Sequence, residues 1–156
     1  MKNFFDLFSL PTDFSIDLDT LEKKYFEFQK KFHPDKYGDK SGDKSDEIEQ
    51  SIAINEAYEV LSNPLKRAAH ILRLNGLDVE NDVVAPKVDQ ATLLEVFEMR
   101  ESGDLSAKDL LQKIKSLLEE FSQNLENKNF ASAAQILIRA KYFEKTLQDL
   151  KVKKWH

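Results

Sequence analysis

Apolar residues recur at steps of three and four along most of this chain, the period of an α-helix with one buried face. Leu18, Leu21, Tyr25, Phe28 and Phe32 form the first such stripe; Asp17 or Asp19 can cap it, and Pro34 must stop it near His33. Ahead of it, Phe4, Phe5, Leu7, Phe8 and Leu10, closed by Pro11, predict a short helical turn lying over the core as a lid. Ile48, Ile52, Ala53, Ala57, Val60 and Leu61 predict a helix from about Glu47 to Leu61 that packs on the first and ends at Asn63-Pro64. Leu65 to Leu74 reads as one more helix, with Leu65, Ala68, Ala69, Ile71 and Leu72 to bury and Asn75-Gly76 suited to a left-handed cap.

Residues 76–88, acidic and with Pro86 but no helical stripe, read as a linker. Asp89 can cap a helix carrying Leu93, Leu94, Val96, Phe97 and Met99 as far as Ser102-Gly103. Ser106 opens a longer one with Leu110, Leu111, Ile114, Leu117, Leu118, Phe121 and Leu125, and a last one from Phe130 carries Ala133, Ala134, Leu137, Ile138, Phe143, Leu147 and Leu150. Three amphipathic helices on short turns bury their stripes most simply as an antiparallel bundle. The expected fold is all-α: a helical hairpin with short flanking helices over residues 1–75, joined to a three-helix bundle over 89–156.

Composition sharpens this picture. Four Gly and four Pro in 156 residues are too few for a many-stranded sandwich or barrel. With no Cys, the chain cannot be a disulfide scaffold or a thiolate zinc finger, has no cysteine nucleophile, and cannot hold an iron–sulfur cluster on its own thiolates. The net charge of -5 comes from interspersed acids and bases, so neither nucleic acid nor an anionic membrane is an expected partner. No run approaches the roughly 18 to 20 apolar residues of a membrane span. MKNFFDLFSLP has Asp6 in its apolar run and no arginine-rich lead, so neither secretory signal nor transit peptide is expected. The expected compartment is the bacterial cytoplasm, with a processed mitochondrial-matrix protein giving the same pattern.

The candidate chemistry lies at the hairpin's tip. His33-Pro34-Asp35-Lys36 follows a helix bearing Lys23, Lys24, Lys30 and Lys31. Seven residues is nearly two turns, so Lys23 lies above Lys30 and Lys24 above Lys31, a basic stripe beside the apolar face. Glu22 and Glu27 dilute it, and alone such a stripe is an ordinary solvated face. After the tripeptide, GDKS repeats twice, at Gly38–Ser41 and Gly42–Ser45, in a polar loop. That loop imitates a calcium site from Asp39, but Lys44 stands where glycine is required and Gln50 where a bidentate glutamate is, so calcium is discarded.

Taken together, the apolar first turn, the basic helix, the HPD loop and the run INEAYEVLSNP (Ile54 to Pro64) resemble the J-domain family over roughly residues 3–75. J-domains dock on DnaK-type chaperone ATPases and stimulate ATP hydrolysis. The resemblance implies His33, Pro34, Asp35 and Lys36 as the signalling loop and Lys23, Lys24, Lys30 and Lys31 as the docking surface. The chemistry is compatible: Pro34 stiffens the loop, Asp35 offers a carboxylate to an arginine, and His33 adds a donor or acceptor.

Within that family the layout is similar to the HscB or Jac type, co-chaperones of iron–sulfur cluster assembly. Zinc-finger J-proteins need cysteines, and no Gly/Phe-rich tract follows residue 75. Leu65 to Leu72, LKRAAHIL, is similar to the family's PLxRAxYLL element, and Leu93 to Glu101, LLEVFEMRE, to its LMEQLELRE element. The resemblance implies an HscA-like ATPase and an IscU-like scaffold protein as partners. It also implies a scaffold-binding patch of Leu93, Leu94 and Phe97, flanked by Glu98 and Glu101, with Lys141 and Tyr142 from the last helix. Spacing alone leaves Leu93, Leu94 and Phe97 equally compatible with bundle core. Phe97 stands in place of the family's usual leucine and Tyr142 in place of phenylalanine, and the CxxC element of some eukaryotic relatives is absent.

An enzyme built from His33, Asp35 and a distant serine is disfavoured, because the sequence shows no nucleophile elbow, P-loop or metal-binding His spacing, and no cofactor is expected. The alternatives are a general J-domain co-chaperone or a helical adaptor with a different client.

Overall fold

The computed structural model describes residues 2–31, 45–81 and 83–153, and among these it contains seven helices and no strand. They are α1 (Phe4–Leu7), α2 (Leu18–Lys31), α3 (Ser45–Ser62), α4 (Pro64–Leu74), α5 (Gln90–Ser102), α6 (Ala107–Glu126) and α7 (Phe130–Lys153). The chain divides into two compact units, Met1–Ile71 and Leu72–His156.

In the first unit, α3 runs antiparallel to α2. Tyr25 stacks on Tyr58 with ring centroids 3.9 Å apart, and its hydroxyl donates to Asn55 Oδ1 at 2.7 Å. One to two turns further along α2, Phe28 and Lys31 line a cleft with Asp46, Glu49 and Gln50. The Asp17 side chain accepts from the Asp19 N–H at 3.0 Å and starts α2. The expected lid is part of the core itself: Phe5 and Phe8 are fully buried, and Phe8 meets Phe28 edge-on at 5.7 Å. Burying two phenylalanines stabilises this unit by roughly 3 to 6 kcal/mol, which a four-residue helix could not supply through its own backbone.

Leu21, Ala57 and Leu61 are buried as their stripes predict, but the N-terminal members of both stripes are not. Leu18 is exposed, and so are Ile48 and Ile52; the core side of α3 is Ile54, Ala57 and Leu61. A helix of 18 residues covered on one side only can show apolar residues on two faces, and a three-four count does not say which one is covered.

Helix α4 anchors α1. His70 is buried, its Nε2 accepts the Phe4 N–H at 3.1 Å, and its ring stacks on Phe4 at 4.5 Å. Arg67 is also buried: Nη1 donates to the Leu61 carbonyl at 2.7 Å, and the guanidinium lies 4.9 Å over the Phe14 ring. Burial pushes that guanidinium down from its usual value. Gly76, at φ +85°, closes the helix with the Leu77 N–H returning to the Leu72 carbonyl at 2.9 Å.

In the second unit the three caps read from the sequence form. Asp89 accepts from the Thr92 N–H, Ser106 from the Asp109 N–H, and Gly103 ends α5 at φ +76°. Only residues 127–129 separate α6 from α7, so the two must run antiparallel. Their interface holds Leu110, Ile114, Leu117 and Phe121 against Ala133, Ala134, Leu137, Phe143 and Leu147. Helix α5 is tied to both neighbours, through a Glu95–Lys113 ion pair and an Arg139 Nε to Thr92 Oγ1 hydrogen bond of 3.1 Å.

Candidate functional site

The basic helix divides its four lysines. Lys23 and Lys30 are exposed. Lys24 is turned toward its own chain, with Nζ 2.8 Å from the Phe8 carbonyl and 3.4 Å from that of Ser9. Lys31 lines the α2–α3 cleft beside the carboxylates of Asp46 and Glu49. The expected row of four therefore has one lysine, Lys24, turned inward, while Lys31 is exposed at the mouth of the cleft as Lys23 and Lys30 are on the outer side. Phe26, which the stripe analysis passes over because it lies off the Leu21–Tyr25–Phe28 phase, is 51% exposed on the outer side. His33, Pro34, Asp35 and Lys36 lie outside the described residues, as do Phe32 and most of the GDKS repeat.

The second candidate surface is on α5. Thr92 and Val96 face the bundle, whereas Leu93, Leu94 and Phe97 are 44%, 55% and 59% exposed. At 100° per residue these three, with the exposed Glu98 and Glu101, fall within an arc of roughly 140° opposite the buried pair. The ambiguity between core and surface is thereby resolved toward surface, because a buried threonine and a valine already fill the contact side. The threonine is tolerated there because its hydroxyl accepts from Arg139 and its N–H is bonded to Asp89. Lys141 and Tyr142 lie on α7: Lys141 Nζ is 3.5 Å from the Val79 carbonyl, and Tyr142 is half-buried.

The Asp89 carboxyl is held below the usual carboxylate range, first by the Thr92 side chain and N–H and then by the charge of Arg139. Asp17 is lowered likewise by the Thr20 hydroxyl and nearby N–H groups, and Glu59 by Lys66, whose Nζ lies 2.8 Å from it. These are helix caps and a surface pair, not reactive groups. Among the described residues no cluster of three or more His, Cys, Asp or Glu side chains is arranged to hold a metal, and no helix is long and apolar enough to cross a membrane.

A two-helix hairpin with a short aromatic helix packed across it and a lysine-bearing second helix is the architecture of a J-domain, and residues 3–70 match the DnaJ domain family. The likeness continues through the second unit. The chain is 31% identical over 162 residues to the co-chaperone protein HscB homolog of Aliivibrio salmonicida (strain LFI1238), spanning 95% of this chain and 94% of that relative. It is 31% identical over 158 residues to the iron-sulfur cluster co-chaperone protein HscB homolog of Arabidopsis thaliana, spanning 95% of this chain and 62% of that one. The solved chaperone HscB from Vibrio cholerae superposes with a TM-score of 0.82 at 25% identity, covering 98% of both chains. The chain belongs to the HscB family of J-domain co-chaperones.

Proposed function

We propose that this protein stimulates ATP hydrolysis by a DnaK-type, HscA-like chaperone and delivers to it an IscU-like iron–sulfur scaffold protein, serving iron–sulfur protein maturation without turning over a substrate of its own. Its membership of the HscB family supports the reading, and the observation that carries it furthest is the outward apolar face of α5. Three large apolar side chains side by side on a helix whose opposite face is already packed have no use within the bundle. They suit a partner that covers them.

In this reading the chaperone-facing elements are the His33-Pro34-Asp35-Lys36 loop and the outward lysines Lys23 and Lys30. Lys24 supports α2 from within, and the exposed Lys31, at the mouth of the α2–α3 cleft, remains a candidate docking lysine. The loop touches no nucleotide; it acts by binding the hydrolysis-competent arrangement of the ATPase more tightly than the resting one. Leu93, Leu94 and Phe97 form the scaffold-facing patch. Glu98 and Glu101 flank it and favour a partner with basic groups at its rim, and Lys141 and Tyr142 are its candidate contributors from α7.

Steady-state ATPase measurements on an HscA-like chaperone test both halves. His33→Gln and Asp35→Asn should abolish stimulation with the helical circular-dichroism signal intact. Leu93→Ser combined with Phe97→Ser should retain stimulation by the co-chaperone alone and lose roughly 100-fold or more in scaffold affinity, since two anchor side chains are removed. Full stimulation by the His33→Gln protein would sink the loop assignment, and unchanged scaffold binding by the serine variant would sink the patch.

A further inference from the structure

We propose that Phe26 is the apolar anchor of the chaperone-docking surface, seated between Lys23 and Lys30, and that it fits an apolar notch on the DnaK-type partner whose rim offers carboxylates to those two lysines. The proposal rests on the co-chaperone reading above.

Lys23, Phe26 and Lys30 are spaced by three and four residues, so they form one ridge along the outer side of α2, a turn between each. All three are exposed, and Phe26 retains 51% of its surface. Of the other two lysines, Lys24 is turned to the Phe8 carbonyl, and Lys31, also exposed, borders the cleft with Asp46 and Glu49. The outward face thus sets one aromatic ring between two lysines, with the exposed carboxylates of Asp19, Glu22 and Glu27 on the same side. A uniform basic stripe is a different surface, and it would be read by charge alone.

The base of that ring is rigid. Tyr25, whose ring centroid lies 6.2 Å from that of Phe26, is stacked on Tyr58 and bonded to Asn55, and Gln29 donates to the same hydroxyl at 2.8 Å. Phe26 is therefore presented on a helix whose neighbouring side chain is pinned from two directions, so the backbone that carries the ring is fixed before docking. An aromatic ring in a charged frame divides the work: the lysines raise the rate of encounter with an acidic surface, and the ring slows dissociation. Among the described residues no hydrogen bond or stacked pair requires the ring to be phenylalanine.

The test is a titration of full-length variants against a DnaK-type ATPase that the wild-type chain stimulates, read as half-maximal concentration and maximal stimulation at low and high salt. Phe26→Ala should raise the half-maximal concentration roughly tenfold or more, with maximal stimulation and salt dependence unchanged. Lys23→Ala with Lys30→Ala should also raise it and flatten the salt dependence. Lys24→Met should lower the melting temperature without moving the half-maximal concentration. Phe26→Leu, which keeps helix propensity and most of the apolar area, should stay within about threefold of wild type and separates loss of the anchor from loss of fold. A Phe26→Ala protein docking like wild type overturns the anchor, as does an equal loss in Phe26→Leu. A wild-type chain that stimulates no DnaK-type ATPase defeats the underlying co-chaperone reading instead.

Discussion

Arg67 shows how a single side chain can join three segments. Its guanidinium donates to the last turn of α3 through the Leu61 carbonyl and covers the Phe14 ring in the connection before α2, yet it has no carboxylate partner among the contacts described. A charge-assisted bond to a buried carbonyl is worth about 2 kcal/mol, and its removal leaves that carbonyl unpaired. Arg67→Met should therefore lower the unfolding free energy by about 2 kcal/mol in urea denaturation, despite conserving much of the packed volume. Arg67→Lys should recover only part of the loss, because an ammonium lacks the planar face that lies over Phe14. Equal stability of the methionine variant and wild type would show that packing, not the hydrogen bond, holds the corner. An arginine inside LKRAAHIL gives no hint of this from sequence, where it reads as one more solvated charge.

At the scale of the element, α5 is the informative case. Its cap, Asp89 before Gln90, and its stop, Gly103, are legible because capping is local: one side chain, two or three backbone groups and a left-handed residue. The same carboxylate makes the element pH-dependent. Since its ionisation lies lower in the folded chain than in the unfolded one, it contributes stability that is fully present above the unfolded value of about 4 and disappears as pH falls through the lower folded value. Thermal melts between pH 6 and 2.5 should show Asp89→Asn, which keeps a capping acceptor without the charge, losing less stability on acidification than wild type. An unchanged slope would assign the acid sensitivity to Asp17 and Glu59, both lowered as well. The direction of the α5 face was not legible. Leu93, Leu94, Val96 and Phe97 spread apolar area over nearly half of the helix circumference, and which part of it packs depends on where α6 and α7 lie. The same limit explains Leu18, Ile48 and Ile52, assigned to the interior by spacing and found exposed.

For the whole molecule, the two compact units carry the two proposed activities on separate surfaces, the chaperone-facing one on α2 and the scaffold-facing one on α5. Variants of one should leave the other's affinity intact: His33→Gln should bind scaffold like wild type, and the Leu93→Ser, Phe97→Ser protein should stimulate the ATPase alone like wild type. Delivery of scaffold to the ATPase should be lost in both. Isothermal titration paired with ATPase rates measures this, and a His33→Gln protein with weakened scaffold binding would show that the two surfaces are coupled.

The chain's order of helices, their ends and their caps follow from local rules, since hydrogen-bond periodicity, proline stops and glycine caps act within a few residues. The J-domain and HscB character was legible for the same reason, carried by short runs such as INEAYEVLSNP and LLEVFEMRE. Tertiary structure alone decided which lysines face outward, that Phe26 stands exposed among them, and that α5 turns Thr92 inward and Phe97 out. Burial is a property of neighbours brought together from distant parts of the chain, and an amphipathic pattern records how much apolar surface a helix has without recording what covers it.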